Sequence, residues 1–115
     1  MKDTLKAFDG YLEKMNLRFS GTVIGATALL VMGIIDRATE DVDCLAPVIP
    51  DDIKAAARRF AKLYKGAEIP LRDDWLNNGP ESLVRDLPTF WQARIVPLFK
   101  VKHLKLTTLG RLDLL

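Results

Sequence analysis

Apolar residues in the first fifteen positions recur at helical spacing. Leu5, Phe8, Leu12 and Met15 share one face, while Lys2, Lys6, Glu13 and Lys14 fall on the other. The pattern predicts a surface helix with one buried stripe, and Asp3 is placed to cap its start. Ser20 and Gly21 then break the period. Thr22-Val23-Ile24 follows as a short β-branched run suited to a buried strand, and Gly25 ends it. From Ala26 to Met32 the residues are apolar or strong helix formers, which predicts a buried helix stopping near Gly33. Strand, glycine turn and helix thus come in immediate succession.

A polar connector over 36–40 leads into Asp41-Val42-Asp43-Cys44-Leu45, where charged and apolar residues alternate as in a strand with one wet face. Pro47 and Pro50 close it. The next helix has Ile53, Ala56, Ala57, Phe60 and Leu63 inside, acids Asp51 and Asp52 at its start, and Lys65 and Gly66 at its end, in accord with the helix dipole. Its outer stripe of Lys54, Arg58 and Lys62, with Arg59 beside it, reads as a solvated face rather than a polyanion site. Between Pro70 and Pro97 the signals mix, and an irregular excursion is expected, with a short helix from Pro80 to just before Pro88. Leu98 to Leu106 reads as a strand with Phe99 and Val101 inward and Lys100 and Lys102 outward, its phase slipping near His103 and Leu104. Thr107 or Thr108 would cap a last helix that has hardly begun at Leu115, leaving apolar surface for a second copy or another protein to cover. The expected fold is α/β (α+β), a small mixed sheet flanked by helices. Residues 1–115 are read as one domain, either minimal or cut short at its C-terminal end.

Composition narrows the field. A chain of 115 residues can bury a core of its own. The net charge of +2 argues against wholesale nucleic-acid binding, so any anion site must be local. The single cysteine, Cys44, excludes an intrachain disulfide and a zinc cluster, and is expected to be a buried, inert thiol in a reducing compartment. The longest apolar stretch, 22–35, is interrupted by Gly25, Thr27 and Gly33 and falls short of the roughly 20 residues a membrane span needs. No secretory signal opens the chain. A cytoplasmic location, with no membrane partner, is the expectation.

The candidate chemistry lies in Asp41 and Asp43. Alternation puts both on one strand face, with attachment points about 6.5 to 7 Å apart and Val42 turned into the core. At an effective dielectric near 20 their charges repel by roughly 2 kcal/mol, so the pair calls for a cation or a raised pKa. A hard divalent ion, Mg²⁺ or Mn²⁺, shared with substrate phosphates meets that demand. The plainer alternative is two surface acids neutralised by Arg37 or solvent. The glycine turn adds backbone N–H groups and a helix N-terminus where a phosphate would sit.

Val23-Ile24-Gly25-Ala26-Thr27-Ala28-Leu29, followed by Arg37-Ala38-Thr39-Glu40-Asp41-Val42-Asp43, resembles the signature of the nucleotidyltransferase superfamily with its DNA polymerase beta-like fold. Within it the chain is most similar to small bacterial members related to toxin–antitoxin nucleotidyltransferases, and 74–77 and 110–115 also look like segments of those proteins. The resemblance implies that Gly25 binds phosphate and that Asp41 and Asp43 are catalytic, metal-holding carboxylates for a nucleoside triphosphate. Ala26 stands where the family often has a second glycine or a serine, and Thr27 is the candidate to replace that hydroxyl. Arg37 and Thr39 are candidates for phosphate contact. A third carboxylate, expected on a later strand, is absent from Phe99 to Leu106, which leaves Asp73, Asp74 and Asp113.

His103, the only histidine, would serve as a base only if the last strand brings it to the carboxylates. Trp75 and Trp91 are read as packing residues before nucleobase platforms. Two functions follow. One is Mg²⁺-dependent transfer of a nucleoside monophosphate to an acceptor hydroxyl on RNA or protein. The other is a catalytically silent relative that binds nucleotide, nucleic acid or a partner protein, such as an antitoxin, alone or as a homo-oligomer.

Overall fold

The computed structural model describes residues 2–24, 41–66, 70–78, 87 and 90–109. The opening periodicity becomes helix α1, Lys2–Lys14, which buries Thr4, Leu5, Phe8 and Leu12. Met15, expected on the same stripe, is 44% exposed, because the helix stops at Lys14 and Asn16 adopts a left-handed φ of 57°. Asp3 lies inside the first turn, where its charge suits the dipole, and not ahead of it as a cap.

Strand β1 spans Phe19–Ile24, so Ser20 and Gly21 belong to the strand they were expected to precede. Gly21 is present because of a close approach. A Cβ there would lie 2.9 Å from the Sγ of Cys44 and 3.0 Å from the Phe19 ring. Strand β2, Val42–Ala46, turns Val42 and Cys44 into the core and leaves Asp43 half-buried. Helix α2, Asp51–Leu63, buries Ile53, Ala56, Ala57 and Phe60 as expected. Leu63, however, is 67% exposed, and Lys62 takes the last-turn position given to Lys65, because the chain turns extended at Tyr64.

Within the proline-rich stretch a short strand, β3 (Leu76–Asn78), had not been foreseen. A 3₁₀ turn at Trp91–Arg94 leads into β4, Val96–Lys100, and β5, Leu104–Thr108. The supposed single strand over 98–106 is therefore an antiparallel hairpin, and the slip in phase at His103-Leu104 marks where the chain turns back. Thr107 and Thr108 finish β5. The buried hydroxyl of Thr108 donates to the Val23 carbonyl at 2.8 Å. The helices expected over 26–32 and 80–88, and the segment after 109, lie outside the described residues.

The five described strands form one mixed sheet in the order β3-β2-β1-β5-β4. Pairs β1–β2 and β4–β5 are antiparallel, whereas β1–β5 and β2–β3 are parallel. One face packs against α1 and α2 in a core that joins Phe8, Phe60, Val23, Val42, Trp75 and Leu106. Trp75 is fully buried, stands edge-on to Phe8 at 5.0 Å and donates its indole N–H to the Ala57 carbonyl at 2.9 Å. The other face carries a smaller cluster of Leu45, Trp91 and Leu109. Both tryptophans thus pack, and the α+β architecture matches expectation. Among the described residues no helix is long and apolar enough to cross a membrane.

Candidate functional site

Antiparallel pairing sets Asp43 directly opposite Ile24, the last residue of β1. The glycine segment therefore begins at the residue covalently next to the partner of Asp43. Gly25, Ala26, Thr27, Arg37 and Thr39 themselves lie outside the described residues. Asp41 and Asp43 flank Val42, whose backbone N–H donates to the Trp75 carbonyl and docks β2 on the segment entering β3. Both acids are thereby held at one end of the sheet, on the side away from the helices.

Their electrostatics agree with close spacing. Burial raises the pKa of Asp43 most, the charge of Asp41 raises it further, and a side-chain hydrogen bond with Asn77 acts in the opposite direction. Asp41 is engaged by Arg72, whose Nη2 donates to Oδ1 at 3.1 Å and Oδ2 at 3.0 Å. Arg72 also places Nε 3.9 Å from the Asp74 carboxylate. A described cation on Asp41 thus comes from the loop before β3, a source the sequence reading did not consider.

The strand beside Asp43 is β3, and the parallel register puts Asn77 directly against it. The hairpin β4–β5 lies on the far side of β1, so no residue of Phe99 to Leu106 adjoins β2. Asp73 and Asp74 occupy the turn ahead of β3, and the Asp74 carbonyl accepts a hydrogen bond from Asn77 at 3.2 Å. Asp113 lies outside the described residues. The side chain next to the pair is therefore a neutral amide. The tetrapeptide Trp75-Leu76-Asn77-Asn78 gave no alternation long enough to read as a strand. Its signal was only an apolar pair ahead of Gly79-Pro80.

His103 is not brought to the carboxylates. It precedes β5, five residues from Thr108, the partner of Val23, which is roughly 16 Å along the strand. Its backbone N–H donates to the Asp9 carboxylate at 2.6 Å, and its Nδ1 stands 4.0 Å from the same oxygen. That contact ties the hairpin turn to α1.

Among the described residues no three His, Cys, Asp or Glu side chains gather as a metal centre. Asp41, Asp43 and Asn77 do offer three oxygen-bearing side chains, a donor set that suits a hard divalent cation. Asp43 on β2 and Asp41 just ahead of it, beside the strand that runs into Gly25 and within a mixed sheet backed by helices, are consistent with a nucleotidyltransferase-like fold. Residues 3–115 match the family described as "Nucleotidyltransferase of unknown function (DUF6036)", and the chain belongs to that family. No curated protein and no solved structure matches it.

Proposed function

We propose that the chain transfers a nucleoside monophosphate from a nucleoside triphosphate to an acceptor hydroxyl, using a divalent cation held by Asp41 and Asp43 with the Asn77 side chain beside them. The observation that carries this reading is the mutual crowding of the two carboxylates at the sheet end where β1 runs into Gly25. Mg²⁺ or Mn²⁺, when bound, would supply charge neutralisation at the α-phosphate and a template for the entering oxygen. Gly25, Ala26 and Thr27 would present backbone N–H groups to the phosphates, with Arg37 and Thr39 as further contacts. In the transfer the acceptor oxygen bonds to the α-phosphorus, the bond from that phosphorus to the bridging oxygen breaks, pyrophosphate leaves, and the hydroxyl proton passes to solvent. Arg72, seated on both oxygens of Asp41, would orient that carboxylate. A polymerase beta-like core and a toxin–antitoxin setting belong to the same reading.

A second reading is supported by one observation. On β3 the register partner of Asp43 is the neutral Asn77 and not an acid, which favours a silent nucleotide- or partner-binding protein. Incubation with α-labelled nucleoside triphosphates and Mg²⁺ or Mn²⁺ separates the two. Label transferred to RNA or protein by wild type, and lost in Asp43→Asn, supports the enzyme. Nucleotide binding without transfer under any metal supports the silent relative.

A further inference from the structure

Four cations collect at the end of the sheet remote from Asp43. Lys100 and Lys105 face each other directly across β4 and β5, and Ser20 lies beside Lys105 in the register of β1. Arg18 and Lys102, in the loops that enter β1 and β5, line with them an open depression of about 580 Å³. All four are exposed, and none makes an ion pair with a carboxylate among the described residues. Like charges directly opposite across a strand pair are unfavourable unless an anion lies between them. Protection of an exposed edge explains a lysine on β4, the outer described strand. It does not explain Lys105, because β5 is flanked by β1 and β4.

The surroundings choose between anionic partners. A second depression of about 440 Å³ shares Ser20 and Lys105 with this end and continues on the helix-free face past Thr22 and Thr107 to an apolar floor that includes Trp91 and Ile95. What favours a phosphate–sugar backbone is the cluster of four cations with the Ser20 hydroxyl beside it, because protein interfaces are depleted in lysine whereas nucleic-acid interfaces are strongly basic. Ser20 stands four residues from Ile24, the partner of Asp43, or roughly 13 Å along the same face. A strand gripped at the basic end reaches the carboxylates within a few nucleotides. The net charge of +2 fits a local site of this kind.

We infer that Arg18, Lys100, Lys102 and Lys105 bind the phosphodiester backbone of a nucleic-acid strand, and that this strand carries the acceptor hydroxyl. The second half of the inference rests on the proposed nucleotidyl transfer; the binding does not. Fluorescence anisotropy with a fluorescein-labelled oligouridylate, in chelator and without nucleotide, tests it. Wild type should bind with a log–log salt slope of about −3, from four phosphate contacts at about 0.7 each. Lys100→Gln/Lys105→Gln should halve that slope and weaken binding tenfold or more, while its melting temperature holds or rises because the facing charges are gone. Lys54→Gln/Arg58→Gln on α2 removes the same charge and should leave binding within twofold. If the hairpin variant fails to fold, Arg18→Gln/Lys102→Gln in the loops takes its place with the same expectation. Equal loss in the α2 variant, no loss in the hairpin variants, or equally tight capture of polyglutamate would overturn the proposal. Labelled transfer is followed separately. Transfer that persists with no oligonucleotide binding refutes the surface and spares the reaction, and binding as predicted with no transfer does the reverse.

Discussion

At the residue scale the candidate site is a crowded pair of acids held by neutral and cationic neighbours. With Asp43 raised above its ordinary 3.8, the unfolded chain releases that proton first as pH rises, so folding loses stability across the window from about 3.8 up to the folded value and stays level above it. Asp43→Asn should therefore melt higher than wild type at neutral pH in chelator, with the advantage shrinking as the pH falls below that window. Thermal melts monitored by circular dichroism check this, and an advantage that grows in acid would reverse the sign. Asn77→Asp tests the position beside Asp43. A third carboxylate in direct register should destabilise the metal-free protein by about 0.2–1 kcal/mol and tighten Mn²⁺ binding roughly tenfold. Calorimetric titration showing unchanged Mn²⁺ affinity would remove Asn77 from the ligand set. Cys44 needs no such role. Burial pushes its thiol up to about 11, against two weaker backbone hydrogen bonds, so at pH 8 only about a thousandth is thiolate. A thiol reagent should leave native protein unlabelled for hours and react promptly in denaturant.

At the scale of elements, β1 and β2 are joined by a contact that constrains both sequences. The Sγ of Cys44 occupies the space where a side chain at Gly21 would begin. Gly21→Ala should cost about 1–3 kcal/mol, and part of that should be recovered in Gly21→Ala/Cys44→Ala, because the sulfur is then gone. Urea denaturation of the four proteins in the cycle measures the coupling, and additive losses would mean that the sulfur is not what excludes the methyl. The same pair shows what the sequence discloses. Val23, Val42 and the apolar stripes of both helices were readable because local periodicity alone assigns them to the core. Gly21 was misread as a breaker because its cause, Cys44, lies on another strand. The hairpin was misread because alternation runs on from Lys100 through Lys102, and a turn without glycine or proline leaves little mark. In the candidate site the spacing of Asp41 and Asp43 is a local fact and was legible. Asn77 and Arg72 were not, since their places depend on β3 pairing parallel to β2, a register set by tertiary packing.

At the scale of the whole molecule, the two faces of the sheet divide the work. The helical face supplies cohesion, and the other carries the carboxylates at one end and the cations at the opposite end. Trp75 links the two, because it immediately precedes β3, fills the core against Phe8 and Phe60, and bonds the α2 backbone through Ala57. Its own carbonyl also receives the N–H of Val42, between the two aspartates. Replacing it by phenylalanine keeps an aromatic ring but opens a void and leaves the Ala57 carbonyl without its indole donor. The expected loss is about 2–4 kcal/mol. Since β3 is the outer described strand on its side and pairs only through three residues, the damage should concentrate there. Amide exchange should therefore quicken at Val42 and residues 76–78 well before the β1–β5 ladder, and Mn²⁺ affinity should fall although no proposed ligand was changed. Uniform acceleration across the sheet, with Mn²⁺ affinity intact, would show that Trp75 serves global stability alone and that the carboxylate end is positioned by β1.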